Sequence, residues 1–284
     1  MNVEPISRAA GARIDGVDLA APLSADAFAS IERALHEHCF VVLPRQTLEP
    51  RTFAAFARRW GEAEPHVIDT YHHPADANIL ILSNVRRGGK PIGLVDAGTY
   101  FHSDYSYREI PARCTILHAI QMPRSRRGTT FANQRAAYDD LPQETRRRID
   151  GLVVRHHYGN RDDLDEASRT VASVLTEAQK KKVEWVRHPL VKRHPRTGVK
   201  ALYAVSGSSF AIEGMDEDAS RALLDELKAH ATQPRYCHTY DYEVGDVIVW
   251  DNAQLLHAAP LADPDDPRTL WRITVKEGPW PSRA

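Results

Sequence analysis

Cysteine is scarce: the 284-residue chain has three, Cys39, Cys114 and Cys237, and no C-x-x-C pair. That argues against a disulfide framework and against a thiolate metal site, and it fits a reducing, cytoplasmic compartment. Long apolar runs are missing too. None reaches the roughly 20 residues that a membrane-spanning helix needs, and residues 1–21 lack a basic stretch followed by an apolar core, so the chain reads as soluble and unexported. Nor is there an excess of charge of either sign, with 37 Lys plus Arg against 38 Asp plus Glu. Without a basic field nothing draws in nucleic acid or an anionic membrane, and the short basic run at residues 124–127 reads as a solvated turn. A small-molecule substrate is the partner that remains. With no internal repeat and no low-complexity tract, the length suits one domain over residues 1–284.

What is present is short β-type runs with helices around them. Ser24 is an N-cap for a helix that places Phe28, Ile31 and Leu35 on one face, and Phe53, Phe56 and Trp60 repeat the pattern before Gly61. Residues 39–43 between them read as a buried strand. From residue 76 onward strands are expected at 79–82, 114–120, 129–132, 152–156, 202–205, 236–242, 247–250 and 270–275. Two more helices are expected, at 142–150 and from 216 to about 230, the latter with Leu223, Leu224 and Leu227 inward. This pattern predicts a mainly β fold with flanking helices and a double-stranded β-helix core of the jelly-roll, cupin-like kind. The polar segment 160–182 is the expected place for a mobile lid insertion.

Three groups of residues carry chemistry. His102 and Asp104 form an H-x-D pair whose side chains leave an extended segment on the same side, so both could reach one metal; a surface salt bridge is the ordinary alternative. His257 lies just beyond the expected strand 247–250, and a jelly roll can bring an early and a late strand together at its mouth. Two histidines and one carboxylate occupy one face of an octahedron and leave three positions open, the pattern of non-haem iron(II) oxygenases. Arg268 and Arg272 are spaced four apart on or beside the strand 270–275 and so share a face. Guanidinium binds carboxylate bidentately, so one of the two could anchor a dicarboxylate beside the metal.

The motifs around these residues extend nearly end to end. Residues 11–19 read GARIDGVDL, Phe101-His102-Ser103-Asp104 matches W-H-[ST]-D, and Gly128-Thr129-Thr130-Phe131-Ala132-Asn133 matches G-D-T-x-F-A-N. Ala136-Ala137-Tyr138-Asp139-Asp140-Leu141-Pro142, His188-Pro189-Leu190-Val191, Gly245-Asp246 and the run from Trp250-Asp251-Asn252 to His257 complete the set. In all of these the chain resembles the family of taurine dioxygenase and 2,4-dichlorophenoxyacetate dioxygenase (TauD/TfdA). The resemblance implies an enzyme that uses Fe(II), 2-oxoglutarate and O₂ to oxidise, usually to hydroxylate, a small and anionic organic substrate, releasing succinate and CO₂. It implies His102, Asp104 and His257 as iron ligands. Arg268 and Thr129 would hold the distal carboxylate of 2-oxoglutarate, and Trp250 would line that site. Arg272 matches an arginine that lies near the cosubstrate or contacts an anionic substrate. Family members are often homo-oligomers.

Two positions depart from the pattern, Phe101 in place of Trp and Gly128 in place of Asp, and they bear on substrate shape. Asp104 is present where related halogenases have a small residue, which points away from halogenation. Desaturation, epoxidation and C–heteroatom cleavage stay open as outcomes, and a jelly-roll metal protein without 2-oxoglutarate chemistry is the remote alternative. Phe101 and Tyr105 are expected pocket walls, and residues 65–71 and 93–100 are where substrate contacts are expected. The remaining histidines, among them His72, His73, His156, His157, His188 and His194, read as exposed or hydrogen-bonded residues of loops and strand ends.

Overall fold

The computed structural model describes residues 1–95, 98–125, 127–158, 184–203 and 208–278. Two-residue alternation in its strands decides the layers. In β3 (Phe40–Leu43) and β16 (Val247–Asp251), Phe40, Val42, Ile248 and Trp250 join one core cluster while Val41, Leu43, Val247 and Val249 join another. β8 (Ala112–Gln121) and β18 (Thr269–Lys276) behave alike: Leu117 and Leu270 point one way, Ile116, Ile273 and Val275 the other.

These strands form the middle of an eight-stranded sheet. Its order adds β1 (Asn2–Pro5) and β2 (Ala12–Asp15) outside β3 on one edge, then β16, β8 and β18, then β5 (Asp76–Ser83) and β4 (His72–His73) on the other edge. Its outer face is covered by α1 (Ala25–His38) and α2 (Pro50–Arg58), which contribute Ile31, Leu35, Phe53 and Phe56 to the second cluster. Ser24 caps α1 by accepting from the Ala27 N–H, as its sequence position predicts.

The inner face meets a three-stranded sheet of β15 (Cys237–Asp241), β9 (Gly128–Asn133) and β17 (Leu255–Ala258). Phe131 of β9 stacks on Phe40 across the space between the sheets, with ring centroids 4.3 Å apart. Beyond this sheet α3 (Gln134–Asp139), α4 (Gln143–Ile149) and α5 (Glu217–Ala231) share a third cluster, which includes Tyr138, Ile149, Leu223, Leu224 and Leu227. The strands β10 (Val153–His156), β11 (Val186–Pro189) and β14 (Ser209–Ile212) form a further sheet. Two ladders of two strands complete the list: β6 (Arg86–Arg87) with β7 (Lys90–Pro91), and β12 (Val191–Arg193) with β13 (Lys200–Leu202).

The expected jelly roll with helical flanks is therefore present. Several strands escaped the sequence reading, for a local reason. β1 is exposed throughout and carries no apolar alternation, and it exists because it pairs with β2. The expected lid at 160–182 lies outside the described residues. Among the described residues no helix is long and apolar enough to cross a membrane.

Candidate metal and cosubstrate site

His102 and His257 are joined by an isolated antiparallel bridge in which each backbone N–H donates to the other's carbonyl, at 3.0 and 2.9 Å. This pairing brings an early loop and β17 together, so two imidazoles 155 positions apart have ring centroids 4.2 Å apart. Asp104 completes the group: its Oδ1 lies 3.6 Å from His102 Nε2 and its Oδ2 3.5 Å from His257 Nε2. These three residues can present one ligand atom each to a single ion.

Protonation suits that task. His102 Nδ1 sits 2.8 Å from the Tyr100 carbonyl, which places its proton on Nδ1 and turns the Nε2 lone pair toward the carboxylate. Burial, and then His102, pushes His257 down to about 3, so this imidazole is neutral at physiological pH. Burial opposes the charge on Asp104, but His257, Arg272 and His102 outweigh it and hold the carboxyl well below the usual carboxylate range. Two imidazoles that each turn Nε2 toward an ionised carboxylate form a donor set that fits a divalent first-row metal.

The carboxylate is held by residues that had no assigned role in the sequence. Thr115 Oγ1 donates to Asp104 Oδ2 at 2.5 Å, and Asn252 Nδ2 donates to Thr115 Oγ1 at 3.0 Å. Asn252 Oδ1 accepts from the Asp104 N–H at 3.2 Å and from Trp250 Nε1 at 3.1 Å. Asn252 stood inside a quoted motif. Thr115 gave one signal only, a polar residue on the inward phase of an apolar strand, directly opposite Trp250 in register.

A narrow cavity opens from the histidines, lined by Gly98, His102, Thr129, Tyr242, Trp250, His257, Arg268 and Arg272 among others. Arg268, one residue before β18, is 5% exposed, and its Nη2 donates to the Val95 carbonyl at 3.0 Å. Arg272, 8% exposed, approaches Asp104 Oδ1 to 3.6 Å. The expected shared face of the two arginines is thus the wall of one cavity, with Thr129 on it as well. Tyr105 is buried, has φ 54° and donates to the Glu64 carbonyl at 3.0 Å, and it does not line this cavity, which corrects its placement as a pocket wall. Phe101 stands apart from it as well. It is half-buried and packs against the third core cluster, and it does not line this cavity, which corrects its placement as a pocket wall.

A second group of two histidines and a carboxylate exists, His36, His194 and Asp251. His194 and Asp251 are each 3% exposed, so His194 is no loop-surface histidine. Its Nδ1 accepts from the backbone N–H groups of Arg196 and Thr197, which puts its proton on Nε2, 2.9 Å from Asp251 Oδ2. A protonated Nε2 is a donor and no metal ligand, so this group braces the fold where the first can hold an ion. His156 and His188 are buried too, and His188 Nε2 bonds the Arg108 carbonyl at 2.9 Å. A broader cleft bordered by Trp185, Phe210 and Arg155 contains none of the expected site residues.

Comparison with known proteins places these features in context. The profile of the family described as taurine catabolism dioxygenase TauD, TfdA family matches residues 2–274. Pentalenolactone F synthase of Streptomyces arenae is 32% identical over 297 residues, covering 100% of this chain and 99% of that protein. The alpha-ketoglutarate-dependent 2,4-dichlorophenoxyacetate dioxygenase of Burkholderia sp. (strain RASC) is 32% identical over 275 residues, covering 93% and 90%. Among solved structures, AAD-2 in complex with Mn(II) and N-oxalylglycine superposes with a TM-score of 0.81 at 28% identity, covering 98% of this chain and 97% of that one.

Proposed function

Because the chain belongs to the TauD/TfdA family, and so is a 2-oxoglutarate-dependent non-haem iron dioxygenase, we propose that His102, Asp104 and His257 hold its Fe(II), with Arg268 and Thr129 binding the distal carboxylate of 2-oxoglutarate. The observation that carries this reading is the convergence of His102 Nε2, His257 Nε2 and an ionised Asp104 on a cavity that Thr129 and Arg268 also line. When bound, the metal and cosubstrate supply the O₂ chemistry that releases succinate and CO₂ and oxidises a substrate C–H bond.

The protein's own part is positioning. Thr115 and Asn252 fix the orientation of Asp104, and the Tyr100 carbonyl fixes the His102 tautomer. Trp250, with its ring centroid 4.7 Å from that of His257, backs the site and keeps water from its inner side. Arg268 meets a carboxylate bidentately in a water-poor pocket, where such a pair is stronger than at the surface.

The substrate is a small anion that Arg272 helps orient. Its guanidinium has more N–H donors than its contact with Asp104 uses, and Tyr105, Tyr107 and Tyr158 are in its neighbourhood. Relatives named for 2,4-dichlorophenoxyacetate and (S)-phenoxypropionate act on carboxylates, which supports this choice. Hydroxylation is the expected outcome. The reading also treats residues 1–284 as one dioxygenase domain working in the cytoplasm.

Anaerobic difference spectroscopy tests the assignment. Adding Fe(II) and then 2-oxoglutarate should produce the visible charge-transfer band of a bidentate chelate. His257→Ala should lose the band, and Arg268→Ala should show it only at 2-oxoglutarate concentrations raised by about tenfold or more, the loss expected for a charged hydrogen bond. No band despite bound iron would remove the cosubstrate from the reading.

A further inference from the structure

The polar end of the cavity holds a group that the motifs did not mark. Tyr242 follows β15 in the chain, is 1% exposed, and lines the cavity together with Thr129 and Arg268. Its hydroxyl is fully buried and makes no hydrogen bond of ordinary length among the described residues. Its polar neighbours are the Thr129 side chain, at long hydrogen-bond reach, and Arg268, and burial keeps the phenol un-ionised, so it is an O–H donor at any physiological pH.

A buried donor left with only a long contact to another hydroxyl is under-satisfied, and native proteins rarely leave one so unless a ligand completes it. The chemistry of the neighbours says which ligand. A carboxylate offers about four lone-pair sites. An arginine fork and the Thr129 hydroxyl account for about three of them, and the phenol stands beside both. The other buried, unpaired phenols, Tyr107 and Tyr203, do not line this cavity. We propose that Tyr242 is a third donor to the distal carboxylate of the 2-oxo dicarboxylic acid, and that its hydroxyl tightens cosubstrate binding without touching the metal. This rests on the reading of Thr129 and Arg268 as the distal-carboxylate site.

The test is calorimetric binding to Mn(II)-loaded protein without O₂, for wild type and Tyr242→Phe. One probe is 2-oxoglutarate. The other is 2-oxopentanoate, which keeps the chelating end and has a methyl group where 2-oxoglutarate has its distal carboxylate. Tyr242→Phe should bind 2-oxoglutarate about 10- to 100-fold more weakly, the range of a charged hydrogen bond. Its affinity for 2-oxopentanoate and for Mn(II) should be unchanged. Tyr236→Phe, whose hydroxyl bonds Asp140 at 2.9 Å outside the cavity, is the control for loss of a tyrosine hydroxyl and should bind both probes as wild type does. Removing an unpaired buried hydroxyl should also leave the ligand-free protein at least as stable as wild type, so Tyr242→Phe will be folded when tested.

Equal weakening for both probes would mean a packing effect and overturn the inference, as would no weakening for either. Wild-type protein that binds 2-oxoglutarate while Tyr242→Phe binds it equally well overturns this inference alone. Wild-type protein that binds no 2-oxoglutarate overturns the proposed function as well.

Discussion

Thr115 shows how much one hydroxyl can govern. It sits on the inner phase of β8, donates to Asp104 and receives from Asn252, so it sets which carboxylate oxygen is free to meet an ion. Partners of this kind are typically worth about 10- to 100-fold in metal affinity. Thr115→Val, which keeps the shape and removes the donor, should weaken Mn(II) or Fe(II) binding by about that factor in a direct titration, and Thr115→Ser should recover most of it. Unchanged affinity in the valine variant would make this contact incidental. His156 makes a separate case at the same scale. Both of its ring nitrogens are buried without partners, and burial, then His188, pushes it down to about 3. The folded pKa lies below the unfolded one, near 6.5, so the unfolded chain binds more protons across the interval between them and stability falls as pH drops below about 6.5. At pH 5 this residue alone costs about 2 kcal/mol relative to pH 7.5. His156→Leu should therefore show a shallower fall in Tm between pH 7.5 and 5 than wild type. An identical slope would show that this imidazole finds a proton partner in solution.

Elements act by bringing such residues within reach. The bridge between residue 102 and β17 works only because the chain before it can turn tightly. Gly98 has φ +74°, its carbonyl accepts from the Ala259 N–H at 2.9 Å, and a Cβ there would lie 2.5 Å from His102 Cε1. No rotation of an alanine methyl relieves that clash, and the left-handed backbone adds about 1–2 kcal/mol of strain. Gly98→Ala should displace the His102 ring and reduce metal affinity by at least about tenfold, the lower range for a disturbed ligand environment, while the sheets remain intact by far-UV circular dichroism. Wild-type metal binding in this variant would show that the His102 loop has slack. β18 makes the complementary point: its period of two sends Leu270, Arg272 and Thr274 inward and Trp271, Ile273 and Val275 outward, so one strand supplies both an anion site and part of the helix-covered core.

For the molecule as a whole, the buried polar centre is a liability without its ligands. Arg268, Arg272, Asp104 and His257 are each at most 8% exposed, and they lie between two apolar sheets. Ligands that bind only the folded state add RT ln(1 + [L]/Kd), about 2.7 kcal/mol at a hundredfold excess over Kd. With Mn(II) and N-oxalylglycine each at such a concentration the two contributions add to about 5.4 kcal/mol, and Tm should rise by between about 10 and 20 °C, given about 2–4 °C per kcal/mol in a chain of this size. EDTA should reverse the rise. A Tm indifferent to both ligands would mean that the folded protein does not take them up at this site.

How much of this was legible from the residues depends on whether the cause is local. Strand alternation, the Ser24 cap and the sharing of one face by Arg268 and Arg272 follow from backbone periods of two and 3.6, which act over a few residues and leave a mark in the sequence. The identities of His102, Asp104 and His257 were legible too, from the chemistry of their side chains and the motifs around them. Register between distant strands leaves no such mark. That Thr115 lies opposite Trp250, that Asp251 meets His194 and so removes it from metal chemistry, and that Phe101 turns toward the third cluster were all decided by which strands pair and which faces pack. The unpaired hydroxyl of Tyr242 belongs to that second kind. Burial and the absence of a partner are properties of the packed molecule, and no spacing in the chain encodes them.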